Sequence, residues 1–197
     1  MTALLPRFLD GSLLSSAELC AARLDGELFG VGDVFVLLDT PDTAELRADA
    51  FRLTAPRTVV ADRFTASWIH GARAAPPAPW QASIDSARRV SAMSVQALDM
   101  RQCVFARGDV ERIGGARVTA PLRTAVDLLR TLPRFDSGVA VEIAGLLQIG
   151  DATIKACEDA LNRHPQAPGN RRALVRLSAL GQRSALGVHP ALTRYTS

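Results

Sequence analysis

The chain has 197 residues, 48% of them hydrophobic, and a formal net charge of +3. That is enough apolar material for one large domain or two small ones with a real core. No run reaches the roughly 18 apolar residues of a membrane span, and the N-terminus lacks a basic region leading into an apolar run and cleavage site, so a cytoplasmic protein without signal peptide or membrane span is expected.

Three cysteines, Cys20, Cys103 and Cys157, lie far apart. They read as small buried hydrophobes in a reducing compartment. Lys155 is the single lysine against 22 arginines. With so many alanines this fits a GC-rich genome, so the arginine count alone says little about nucleic acid. The distribution of charge says more. Residues 1–56 carry four arginines and nine acids, a net of −5, and residues 57–197 carry a net of +8. Residues 152–197 alone hold seven basic groups against Glu158 and Asp159. A basic C-terminal half suits an anionic partner, nucleic acid being the commonest, and serves equally as a solvated face.

Residues 15–25 read as a helix. Ser15 and Glu18 fit a capping box, in which hydroxyl and carboxylate each satisfy one free backbone N–H. Gly26 stops it. A hairpin follows over residues 27–38, turning at residues 30–33, with a β-branched and aromatic second strand. A helix followed by a hairpin is the second half of a winged helix-turn-helix, and equally a small α+β packing unit. Asp42 and Glu45 suggest another capping box, opening a helix to about Leu53. Residues 57–61 are short and apolar. Residues 62–71 look helical, with Ala66, Trp68 and Ile69 as core candidates. Residues 72–79, rich in Ala and Pro, form an irregular loop.

From Trp80 the apolar period changes to two. Residues 81–90, 97–105 and 110–113 read as strands of an antiparallel sheet. Gly114-Gly115 turns the chain into a strand ending at Thr119. The clearest switch in the sequence comes next, VTAPLRTAVDLL over residues 118–129. Pro121 suits a first helical turn, because its missing N–H had no partner there anyway. Leu122, Val126 and Leu129 recur at helical spacing, and Arg123 and Asp127 sit four apart on one face. Three further helices follow. The first is capped by Ser137 with a stripe of Val141, Ala144 and Leu147 or Gln148. The second is capped by Asp151 and presents Ile154, Cys157 and Leu161. The third covers residues 169–180 with Leu174, Leu177 and Leu180 inward, and residues 181–197 are expected to be loose. The fold class is therefore α+β: a short winged-helix-like unit with a linker helix over 1–56, then a small antiparallel sheet packed with a basic helical part over 57–197.

The strongest candidate for chemistry is the last helix. Arg172, Arg176 and Arg183 fall within about one face, since offsets of four and eleven nearly complete whole turns at 3.6 residues each. Arg171 flanks them. Guanidinium forks suit phosphate, and such contacts give affinity without sequence choice. Arg88 and Arg89, at the end of a strand, form a second basic pair. The same arginines serve as a solvated helix face. His70, His164 and His189 are isolated and lack metal-ligand spacing. No serine lies in a nucleophile elbow, and no glycine-rich phosphate loop precedes a helix. Asp62, Asp85, Asp99 and Asp109 are the raw material of an acidic nuclease cluster, but the accompanying lysine motif is missing. No catalytic residue, metal or cofactor is expected.

The stretch RVTAPLRTAVDLLRTLP, Arg117 to Pro133, resembles the AbiEi-type antitoxins of type IV toxin–antitoxin systems, in their actinobacterial branch. Arg123, Thr124 and Asp127 occupy the places of that family's Arg-Thr and Asp, and Ala120 stands where it has a serine. SAELCAARLDGELFGVGDVFV (Ser16 to Val36), TASWIHG (Thr65 to Gly71) and PGNRRALVRLSAL (Pro168 to Leu180) fit in order. The resemblance implies an N-terminal winged-helix DNA-binding domain and a C-terminal α/β antitoxin domain. It also implies repression of the protein's own operon and a functional link to a cognate nucleotidyltransferase-type toxin. In this chain Glu18, Asp25, Glu27 and Asp33 make the N-terminal unit acidic, which opposes phosphate. DNA contact is therefore expected from Arg171, Arg172, Arg176, Arg183, Arg88 and Arg89. Arg123, Asp127 and Thr119 are expected to hold the strand–helix junction, with Thr119 standing in for the lost capping serine. The alternative is a module that neutralises or scaffolds a protein partner without touching nucleic acid.

Overall fold

The computed structural model describes residues 6–86 and 98–185. The fold is α+β, with seven helices, a two-stranded hairpin and a five-stranded mixed sheet among the described residues. Helix α1 (Ser16–Leu24) carries the expected capping box: Ser15 accepts from the Glu18 N–H, and the Glu18 carboxylate accepts from the Ser15 N–H at 2.8 Å. Strands β1 (Leu28–Val31) and β2 (Val34–Leu37) pair antiparallel across a turn at Gly32 and Asp33. Ahead of α1, residues 6–14 form turns and one bridge, Leu9 to Phe35. The described part of this unit therefore holds one helix before its hairpin.

Helix α2 (Ala44–Thr54) is capped by Thr43, whose hydroxyl accepts from the Leu46 N–H at 3.2 Å. The expected Asp42–Glu45 box is absent because Asp42 is drawn into a two-pronged contact with Arg47, at 2.7 and 2.6 Å. Strand β3 (Val60–Ala61) and helix α3 (Arg63–Ile69) follow, then β4 (Trp80–Asp85), β5 (Leu98–Cys103), β6 (Val110–Ile113) and β7 (Ala116–Thr119). The sheet order is β5-β4-β3-β7-β6. The expected antiparallel sheet is corrected here. β4 pairs β5 in parallel and β3 pairs β7 in parallel, while β3–β4 and β6–β7 are antiparallel. Parallel neighbours need a connection of about a dozen residues, and the stretch from β4 to β5 supplies it.

Helices α4 (Pro121–Thr131), α5 (Ser137–Ile149), α6 (Ile154–Asn162) and α7 (Asn170–Ala185) complete the chain. Two caps shift from their expected places. Asp136, not Ser137, accepts from the Val139 N–H, and Thr153, not Asp151, accepts from the Ala156 N–H. Asp151 instead occupies a turn at φ 46. In α5 the buried set is Ala140, Glu142, Ile143, Gly145, Leu146 and Leu147, whereas Ala144 and Gln148 are exposed. This helix is apolar nearly all round, so periodicity could not single out the face. α7 runs five residues beyond Leu180, into the stretch expected to be loose. No single helix is long and apolar enough to cross a membrane among the described residues.

Two large apolar clusters hold these elements. The first joins Val31, Val34 and Val36 of the hairpin to Leu46 and Phe51 of α2, and to Trp80, Ala82 and Val118 of the sheet. The packing therefore runs straight across residue 56. The second joins α4, α5, α6 and α7 through Leu128, Leu129, Ile143, Leu146, Cys157, Leu161 and Leu177. Of the three cysteines expected to be buried, Cys157 is, Cys103 is half-buried and Cys20 is exposed. α1 buries only Leu19, so the next residue faces outward.

Candidate functional site

The junction around α4 is where the charged groups of the molecule converge. Arg101 on β5 lies beside Ser83 on β4, its registered partner. Its Nε donates to the Asp62 carboxylate at 2.6 Å, and its Nη2 donates to Asp127 at 2.6 Å. Asp127 also accepts from Arg123 Nε at 3.1 Å, the four-residue pair anticipated from the sequence. Arg123 goes on to pair with Asp109, and its guanidinium lies over the Phe105 ring at 5.2 Å. Arg63 binds the other oxygen of Asp62 at 3.0 Å and reaches Asp99 at 2.8 Å. Ser83 donates its hydroxyl hydrogen to Asp62.

Asp62 and Asp127 are buried, and this chain of alternating charge compensates both. Burial disfavours the charge on Arg101 and Arg123, but Asp127 with Asp62, and Asp127 with Asp109, outweigh it. Both guanidinium groups are held above their ordinary pKa. The arrangement stitches α3, β5, α4 and the segment before β6 together. Asp62, Asp99 and Asp109 are each engaged by an arginine. Among the described residues no group of three His, Cys, Asp or Glu could hold a metal ion.

Thr119 is fully buried at the end of β7. Its hydroxyl pairs with that of Thr124 at 2.7 Å, and its carbonyl accepts from His70 Nε2 at 2.8 Å. It does not replace the missing cap. The N-cap of α4 is Ala120, and no side chain accepts from the first turn. The helix therefore opens with free N–H groups and the positive end of its dipole.

The other end of α4 is closed by α7. Gly169, at φ 79, lets the backbone approach so closely that a Cβ there would lie 2.3 Å from the Arg130 carbonyl oxygen. From that close start, Arg172 Nη2 donates to the Arg130 carbonyl at 2.9 Å and Arg176 Nη1 to the Leu129 carbonyl at 2.8 Å. Arg176 also reaches the Pro133 carbonyl at 3.4 Å and lies over Phe135 at 5.4 Å. Arg176 is 8% exposed. This corrects the expected phosphate-contacting role: its donors serve the last carbonyls of α4, which have no partner within the helix. Arg172 remains exposed while donating one such bond, and Arg171 is exposed with no ion pair among the described residues. Arg183 lies on α7, with its side chain outside what is described. Arg88 and Arg89 lie outside the described residues.

Sequence reasoning missed a cleft of about 260 Å³ that runs along α4 from its uncapped start to Arg130 in its last turn. Arg107, Arg123, Arg130 and Arg163 line it together with His164 and Asp109. These residues come from three separate segments, and no spacing in the sequence announces them. A broader, shallower hollow is lined by Arg171, Arg172 and Val175 among others.

No family model matches the chain, and neither does any curated protein. Among solved structures it is similar to that of the RV2827C protein from Mycobacterium tuberculosis, at 13% identity and a TM-score of 0.48. The match covers 85% of this chain and 66% of that one, so this chain spans just under two thirds of that protein's length.

Proposed function

We propose that this chain is a non-enzymatic, cytoplasmic antitoxin of the AbiEi type, which binds the DNA of its own operon and acts against a cognate nucleotidyltransferase-type toxin. The family part of this reading rests on the sequence resemblance around residues 117–133. The DNA part rests on one observation: Arg171 and Arg172 are exposed at the start of α7, in a half of the chain with a net charge of +8. Such groups neutralise phosphates and give affinity that falls steeply with salt. The acidic hairpin unit, with Glu27 and Asp33 exposed, would be repelled by the same backbone.

An electrophoretic shift with the upstream operon region tests this. Replacing Arg171 and Arg172 together by Ala should weaken binding and lower the salt slope by about two phosphate contacts. Unchanged affinity would refute the interface. A second reading is favoured by the exposed leucines of the N-terminal unit, Leu24 at 87% and Leu38 at 62%. Apolar side chains on an acidic surface suit a protein partner. A pull-down insensitive to salt, with no DNA shift, would favour that reading.

A further inference from the structure

We infer that the cleft along α4, from its uncapped start to Arg130 in its last turn, is a binding site for the di- or triphosphate group of a small phosphorylated molecule, a nucleotide being the simplest carrier. Four arginines line it with Asp109; Arg123 is paired with Asp109 and Asp127, which leaves Arg107, Arg130 and Arg163 as the lining cations with no ion pair among the described residues. The Asp109 carboxylate, held by Arg123 and by the Ala106 N–H at 2.9 Å, has little charge left to repel an anion. Arg123 is fixed in place from behind by Asp127.

Arg130 carries a second, independent sign. It is partly buried, and its Nε and Nη2 meet only neutral oxygens, the Asn170 side chain at 3.2 and 3.0 Å and the Leu161 carbonyl at 3.4 Å. Burial holds it below its ordinary pKa, with the charge of Asp127 opposing and that of Arg123 adding to the effect. A half-buried guanidinium with no ion pair among the described residues gains from an anion brought against it, and Arg130 lines the cleft.

The cleft also takes in Ala120, the N-cap of α4, and Leu122 and Arg123 of its first turn. Pro121 has no N–H to offer, but those of Leu122 and Arg123 are uncapped, and the helix dipole favours negative charge there. Two exposed cations with no ion pair among the described residues, Arg107 and Arg163, also line the space. Guanidinium forks bind phosphate oxygens in pairs. A volume of about 260 Å³ is below that of a pocket for a drug-sized ligand, roughly 300 Å³ and upward, so it seats a phosphate chain with any nucleoside left outside. The inference stands apart from DNA binding by Arg171 and Arg172, since it uses none of those contacts.

Calorimetric titration of the full chain with pyrophosphate, and separately with ATP, tests it. Saturable one-to-one binding is expected. Arg107→Gln and Arg163→Gln should each weaken it by roughly tenfold or more while leaving the melting curve in place, because neither residue has an ion pair to lose among the described residues. Arg171→Gln should bind pyrophosphate as the parent does. The proposal is overturned if the parent shows no saturable binding. It is overturned equally if Arg171→Gln loses as much as Arg163→Gln, since the anion is then held by general charge. Displacement of pyrophosphate by duplex DNA, with Arg163→Gln losing both ligands, would also overturn it and make the cleft a part of the DNA surface.

Discussion

Asp127 accepts from two guanidinium groups and is 3% exposed, so its charge depends wholly on Arg101 and Arg123. Replacing it by Ala takes one anion from each arginine and leaves Arg101 with Asp62 and Arg123 with Asp109. Losing these charge-assisted bonds costs about 1–3 kcal/mol, and Asp127→Ala should lower the melting temperature accordingly. An unchanged melting curve would show that the junction holds without it. His70 makes a second test. Burial lowers its pKa, against the opposing pull of the Thr119 carbonyl and Glu111. The folded chain therefore resists a proton that the unfolded chain accepts near pH 6.5. The stability it contributes is complete above that pH and is lost as pH falls through the depressed value. His70→Gln, which keeps a donor for the carbonyl, should flatten the slope of stability between pH 7 and 5; an unaltered slope would assign it to other groups. A third test uses thiols. Burial pushes Cys157 up to about pKa 12, whereas Cys20 is exposed. A thiol reagent should label Cys20 in the native chain and Cys157 only after unfolding, as peptide mapping would show.

The helices owe their positions to how their ends are satisfied. α1, α2, α5 and α6 each have a side chain accepting at the N-terminus, and α4 has none. Its C-terminal carbonyls are met instead by arginines reaching across from α7, 42 and 47 residues away in sequence. This assigns different work to neighbouring arginines of one helix. Arg176→Met keeps the stem against Phe135 but removes donors from the Leu129 and Pro133 carbonyls. It should cost about 1–3 kcal/mol in denaturant unfolding and leave DNA affinity unchanged at temperatures where the fold persists. Arg171→Ala should do the reverse. If Arg176→Met weakened DNA binding without loss of stability, the division between the two would fail. Read from the sequence, both residues were simply basic positions on the last helix. Their spacing placed Arg172 and Arg176 together correctly but could not show that the face they share is turned toward another helix.

At the scale of the whole molecule, the hairpin and the sheet share one core. A Cβ at Gly32, which sits at φ 64, would lie 2.5 Å from the Trp80 ring. Trp80 in turn donates its indole N–H to Asp33 at 2.6 Å and packs against Phe51 and Trp68. Residues 1–56 cut free would expose Val34, Val36, Leu46 and Phe51, which are buried here against residues beyond 56. That fragment should show no cooperative thermal transition by circular dichroism; a sharp one would restore the boundary at residue 56.

Local chemistry fixed much of this fold in advance. The Ser15–Glu18 box, the β1–β2 hairpin, the Gly114-Gly115 turn and the Pro121 helix start all depend on neighbours a few residues apart, and each was readable from the sequence. So was the Arg123–Asp127 pair, because four residues is one helical turn. What only the tertiary structure decided depends on distant partners. The parallel pairing of β4 with β5, the inward face of α5, the burial of Arg176 and the gathering of four arginines from three segments into one cleft are of this kind. Each follows from which surfaces meet once the chain is packed, and a guanidinium has the same sequence signature whether it ends in water, on a carboxylate or on the last carbonyls of a helix.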